Sequence, residues 1–179
     1  MSNTIEQTTL AGGCFWCIEA AFNSLKGIIK AESGYMGGND VEPTYEQVCK
    51  GDTGHAEVVQ LTFDNQEINF RDILEIFFAL HDPTQLNRQG NDIGSQYRSA
   101  IFFHNEQQEK IAQEIIAEIE QQQIWPGKVV TEISKQQTFY CGEDYHQAYF
   151  NNNPENQYCQ AVVSPKLAKF RKKFAEKLK

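Results

Sequence analysis

The amino-acid sequence predicts an α+β fold: a ferredoxin-like two-layer α/β sandwich with a mixed or antiparallel sheet, and an extended, coil-rich C-terminal segment ending in a helix. Three observations predict it. Segments with the two-residue period of strands and the 3.6-residue period of helices follow in the order β-α-β-β-α-β, then helix and strand. The 179 residues fit one domain and leave little room for a second core, so 1–179 reads as a single domain. Composition is 40% hydrophobic and 22% charged, inside the globular range, so the chain can bury a real core.

An opening strand runs from about Thr4 to Ala11 and meets Gly12-Gly13. From Cys14 to Lys26 the spacing is helical, with Ile18, Phe22 and Leu25 on one face, and Gly27 stops that helix. Ile28 to Ser33 reads as a strand, Gly34-Tyr35-Met36-Gly37-Gly38 as a glycine-rich loop, and Tyr45 to Cys49 as a short segment. In Ala56 to Asp64, Val59, Leu61 and Phe63 alternate against Val58, Gln60 and Thr62, which marks a strand. Ile73, Phe77 and Leu80 share a face of a helix over 69–80, ended by Asp82-Pro83. After a polar loop from Thr84 to Ser95 come a strand at about Tyr97 to Phe103 and a long helix carrying Ile111, Ile115 and Ile119. Asn105 is its N-cap, because its side chain can accept from a first-turn amide. Val129 to Ser134 is a further strand, and the chain is then irregular and aromatic up to Tyr158. Ser164-Pro165 has the form of an N-cap followed by proline at the first helical position, and Leu167, Phe170, Phe174 and Leu178 stripe a last helix that covers the core.

Charge excludes some functions. Sixteen Lys plus Arg against twenty-four Asp plus Glu leave a net −8, a poor match for a phosphate backbone, so no nucleic-acid partner is expected. Residues 165–179 hold seven of the basic residues and one acid. Residues 1–164 therefore carry nine bases against twenty-three acids, a net −14. Met1 to Leu10 has no basic segment followed by an apolar run, and no stretch of about 18 apolar residues occurs. A soluble cytoplasmic protein without membrane attachment is expected, with a surface charge compatible with a monomer. The five cysteines are an odd number in a chain too large to need disulfide staples, which favours redox or metal chemistry.

The chemistry concentrates at Gly12-Gly13-Cys14-Phe15-Trp16-Cys17. Two glycines let the backbone turn sharply, and Cys14 then falls at a helix start, where unpaired amides and the helix dipole favour the thiolate. Phe15 and Trp16 set two apolar faces beside that sulfur, suiting a substrate with a small apolar group. A lone cysteine is more often a buried packing residue. The glycines, the position and the aromatics together reverse that reading.

This run resembles the signature of the A-type peptide methionine sulfoxide reductases, found here as Gly13-Cys14-Phe15-Trp16. The resemblance continues through Gly34-Tyr35-Met36-Gly37-Gly38, Thr44-Tyr45-Glu46-Gln47-Val48-Cys49 and Gly51-Asp52-Thr53-Gly54-His55-Ala56-Glu57. It extends through residues 81–92, Gly94-Ser95-Gln96-Tyr97-Arg98-Ser99 and Asp144-Tyr145-His146-Gln147, covering roughly residues 8–160.

The resemblance implies reduction of methionine-S-sulfoxide, free or in oxidised proteins, as a repair reaction. Cys14 would be the nucleophile and Glu57 the acid, since a carboxyl group near an apolar pocket has its pKa raised. Tyr45 and Tyr97 match the tyrosines that bond the sulfoxide oxygen, Asp92 a further carboxylate orienting water or the substrate amide, and Phe15 and Trp16 the methyl pocket. The sulfenic acid left on Cys14 would condense with a second thiol. Cys159 resembles the resolving position; Cys17 is its rival, because Cys14-x-x-Cys17 has redox-pair spacing. Cys49 and Cys141 read as packing residues. The resemblance implies no cofactor, with electrons arriving from thioredoxin.

Two other classes compete. A thioredoxin-like disulfide oxidoreductase built on Cys14-x-x-Cys17 would need no attendant acid or tyrosines. A zinc module lacks a second closely spaced Cys or His pair to complete its site. His55, His81, His104 and His146 are scattered and read as hydrogen-bonded structural residues.

Overall fold

Strand β1 (Ile5–Ala11) lies between β3 (Ala56–Asp64) and β6 (Ala100–Phe103), antiparallel to both. The structure is a computed structural model that describes residues 4–13, 15–39, 42–50, 53–89, 92–123, 125, 127–143, 172 and 174. The β2 strand (Ile28–Met36) pairs antiparallel with β3, while β7 (Glu132–Lys135) joins β6 in parallel and β8 (Tyr140–Cys141) joins β2 at the opposite edge. The sheet order β7-β6-β1-β3-β2-β8 thus contains the four antiparallel strands of the expected ferredoxin-like sandwich, extended once on each side.

Strand period decides which residues meet the helices. Leu10, Tyr35, Val59, Leu61, Phe63 and Ile101 point to one face and form the main core with α1 (Phe15–Asn23), α3 (Phe70–Leu80) and α4 (Glu106–Gln121). Ala11, Met36, Ala56, Val58, Ala100 and Phe102 point the other way, into a smaller cluster against Phe139. Val58 is therefore buried like Val59, because both faces of β3 are covered near its N-terminal end. Phe174 packs against the main core.

Helix starts are set by side chains. Asn69 accepts from the Asp72 amide at 2.8 Å, and Asn105 from the Gln108 amide at 2.9 Å while Gln108 reaches back to the His104 amide at 2.9 Å. Each such cap contributes about 1 kcal/mol.

Four boundaries differ from expectation. Gly34-Tyr35-Met36 continues β2, since Gly34 pairs with Val58 on one side and Cys141 on the other; a Cβ at Gly34 would meet the Tyr140 carbonyl and the Phe139 ring. The first helix ends at Asn23. Strand β6 begins at Ala100 because its partner β1 ends at Ala11, so Ser95–Tyr97 forms a single 3-10 turn instead of strand. Strand β7 begins at Glu132, the preceding residues being held elsewhere: the Val130 amide donates to the Pro83 carbonyl at 2.8 Å. The 84–95 loop contains a small hairpin of β4 (Arg88–Gln89) and β5 (Asp92–Ile93). Among the described residues no helix is long and apolar enough to cross a membrane. Cys14, the segment 144–163 with Cys159 and His146, and the helix start at Ser164-Pro165 lie outside the described residues.

Candidate active site

The turn that precedes position 14 is packed from behind. Gly13 has φ +87°, and a Cβ there would lie 2.8 Å from Gln89 Cγ; one at Gly12 would meet the His81 ring at 3.0 Å. Both neighbours are themselves fixed. Gln89 exchanges hydrogen bonds with the backbone of Asp82, accepting from its amide at 2.9 Å and donating to its carbonyl at 3.0 Å. His81 Nδ1 bonds the Phe77 carbonyl at 2.7 Å, and since a carbonyl only accepts, Nε2 is left to accept from Ser99 Oγ at 2.7 Å. Two residues from the 81–89 segment thereby fix where α1 starts.

Glu57 stands directly opposite Tyr35 in the β2–β3 register, on the helix-covered face, and is 1% exposed. Sequence alone makes a strand glutamate solvent-facing; the fold inverts this because α1 lies over the strand. Glu57 Oε1 accepts from the Phe15 amide at 3.3 Å, and among the described residues Oε2 has no hydrogen-bond partner. Burial pushes the carboxyl up to about 8. The Phe15 amide opposes that shift, and Asp92 and Cys17 nearby add to it. At pH 7 the group is mainly the protonated acid.

An aromatic box adjoins it. The Phe15 ring, fully buried, sits 5.8 Å from Tyr35, 6.2 Å from Tyr45 and 6.4 Å from Trp16; Trp16 and Tyr45 stack at 6.5 Å and are each partly exposed. Tyr45 opens α2 (Tyr45–Cys49), a helix too short to hold itself, which a reciprocal capping box of Thr44 and Gln47 stabilises. Desolvation first, then Glu57, pushes the Tyr45 phenol above its ordinary range, so it stays a neutral donor. Tyr97, on the 3-10 turn, lies close enough to Tyr45 to add to that shift, and Asp92 on β5 close enough to Glu57 to raise it. The structure thus brings Glu57, Tyr45, Tyr97, Asp92, Phe15 and Trp16 together around the start of α1.

A family model described as peptide methionine sulfoxide reductase matches residues 6–178. The chain belongs to that family. A methionine sulfoxide reductase MsrA of Saccharolobus solfataricus is 54% identical over 175 residues, 98% of each chain. Among solved structures, Mxr1 from Saccharomyces cerevisiae in reduced form aligns with TM-score 0.81 at 36% identity, over 87% of this chain and 90% of that one. Mxr1 in complex with Trx2 aligns with TM-score 0.57 at 27% identity, over 82% and 85%.

Against the family's motifs, the thiols divide differently from the sequence reading. Cys17 is buried in α1, near Glu57. Cys49 and Cys141 are exposed rather than packed: α2 is a short surface helix, and β8 is an edge strand. Although the residue is exposed, partial desolvation raises the pKa of the Cys49 thiol, and the neighbouring Tyr45 phenol opposes that shift. Three histidines are hydrogen-bonded as expected: His55 Nδ1 accepts from the Gly38 amide at 3.0 Å, His104 pairs with Thr9 Oγ1 at 2.9 Å, and His81 is bonded as above. Two residues that the sequence motifs do not single out also reach the site: Tyr35, which continues β2 opposite Glu57, and Glu143, which arrives only because β8 adds to the sheet edge.

Proposed function

We propose that this member of the family reduces methionine-S-sulfoxide, free or protein-bound, through a thiolate, sulfenic acid and disulfide sequence recycled by thioredoxin. The observation that carries the chemical reading is Glu57: a buried, mainly protonated carboxyl anchored by the amide of Phe15, the residue after Cys14.

In this reading the Cys14 thiolate attacks the sulfoxide sulfur while Glu57 delivers its proton to the oxygen. Tyr45 and Tyr97 donate hydrogen bonds to that oxygen as negative charge grows on it. Attack forms a bond between the two sulfurs; the substrate S–O bond then breaks as its oxygen passes, with the Glu57 proton, to the Cys14 sulfur, and cleavage of the S–S bond releases the thioether and leaves Cys14 as sulfenic acid. Substrate sulfur gains two electrons and Cys14 sulfur loses two. Phe15, as floor, and Trp16, as wall, hold the S-methyl group, and Asp92 orients water or the substrate amide. A second thiol, Cys159 ahead of Cys17, then displaces water to form a disulfide, which a thioredoxin dithiol reduces by exchange. No cofactor is needed. The complex of the yeast relative Mxr1 with Trx2 supports the last step. The reducing cytoplasm is the compartment that suits free thiols at rest.

The test couples turnover to NADPH through thioredoxin and its reductase. Oxidation of NADPH is expected with the S epimer of a methionine sulfoxide and not with the R epimer. Equal reduction of insulin disulfides without any sulfoxide would sink the reading in favour of a general disulfide oxidoreductase.

A further inference from the structure

The carboxylate of Glu143 joins two elements of the site from outside it. Its Oε1 accepts from the Tyr45 backbone amide at 3.2 Å and from the Tyr35 hydroxyl at 3.4 Å. Tyr45 is the first residue of α2 and Tyr35 is the register partner of Glu57, so one oxygen links the helix that carries the phenol to the strand beside the acid. Both tyrosines also pack on the Phe15 ring.

The need for such a link follows from the length of α2. Five residues make too few intrahelical bonds to repay helix nucleation, so caps must hold the segment. Thr44 Oγ1 serves the Gln47 amide and Gln47 serves the Thr44 amide, which leaves the Tyr45 amide to be met from elsewhere. Glu143 meets it. The acceptor comes from a different part of the chain, directly after β8, whose two residues pair with Gly34 and Tyr35, and the adjoining Gly142 amide donates to Ser33 O at 2.8 Å. Glu143 is therefore itself held on the β2 edge and can transmit that position to α2.

We infer that Glu143 is a positioning residue for sulfoxide reduction: it fixes the Tyr45 phenol relative to Glu57 by clamping the first turn of α2 to β2. This rests on the reductase reading above. Glu143 touches neither sulfur nor oxygen of the substrate; its effect passes through Tyr45.

The experiment measures single-turnover release of methionine from methionine-S-sulfoxide by pre-reduced enzyme without a recycling system, so that resolution and thioredoxin do not enter. Glu143→Ala is expected to slow that step about 10- to 100-fold, the penalty of a small misplacement at a reacting centre. Glu143→Gln keeps an acceptor oxygen on the same stem and is expected to retain most of the rate. The decisive measurement is the cycle with Tyr45→Phe: if Glu143 acts through the phenol, its loss adds little once the phenol is gone. Should the alanine variant not fold, Glu143→Met, which keeps the stem and removes both acceptors, takes its place. Rates for Glu143→Ala equal to wild type, or losses that multiply in the cycle, overturn the positioning role. A wild-type chain that releases no methionine overturns the functional reading instead.

Discussion

The backbone amide of Phe15 donates to Glu57 Oε1 at 3.3 Å, joining the first turn of α1 to the N-terminal end of β3 at the residue next to Cys14. A helix-start amide favours the charged carboxylate, whereas burial disfavours it. Burial wins, and the carboxyl is pushed up to about 8. The bond therefore orients the group more than it ionises it.

A proton donor of this kind works only while protonated. The kcat/KM for methionine-S-sulfoxide is expected to fall above about pH 8, where Glu57 loses its proton. Glu57→Gln should lower the rate on the order of 10²- to 10⁴-fold and remove that alkaline limb. A pH profile of both proteins checks it; an unchanged limb in the variant assigns it to another group.

Stability carries the same titration with a definite sign. Glu57 in the unfolded chain loses its proton near its ordinary value of 4.5, and in the folded chain near 8, so between these the folded state binds the extra proton. Stability from this group is full below about pH 4.5 and is lost as pH rises towards 8, at roughly 1.4 kcal/mol per unit. Denaturant titrations from pH 5 to 8 should show Glu57→Gln losing less stability with rising pH than wild type.

The two phenols share one task, so their variants separate binding from chemistry. Tyr45→Phe and Tyr97→Phe should each reduce kcat on the order of 10²-fold with little change in the substrate dissociation constant, and the double variant should lose more than either. Steady-state kinetics with direct binding measurements test this; a loss confined to binding contradicts it.

Gly13→Ala tests the packed turn. Its φ of +87° and the 2.8 Å approach of Gln89 make the substitution strained, at a cost of about 1–3 kcal/mol. Because the strain falls next to Cys14, activity should fall much further than thermal stability, as a melting curve and an assay of the same sample will show.

For the thiols, Cys159→Ser is expected to stop after one equivalent of methionine with thioredoxin as reductant, and Cys17→Ser to continue. Normal turnover by Cys159→Ser with arrest of Cys17→Ser would reverse the order.

The sequence by itself determined the order of the main strands and helices, because hydrophobic period is a local property: the 56–64 strand and the Asn105 cap lie where the pattern puts them. It also marked Glu57, Tyr45, Tyr97 and Asp92, through motifs whose residues stay together in the chain. Tertiary structure decided what no local pattern encodes. Glu57 is buried and holds its proton only because α1 covers this end of β3, since desolvation depends on what other segments cover. Cys49 is a surface thiol because α2 is short and peripheral. Glu143, 98 residues from Tyr45, met its amide only because β8 joined the sheet edge. Pairing across such separations depends on strand order, which a residue's own neighbours do not specify.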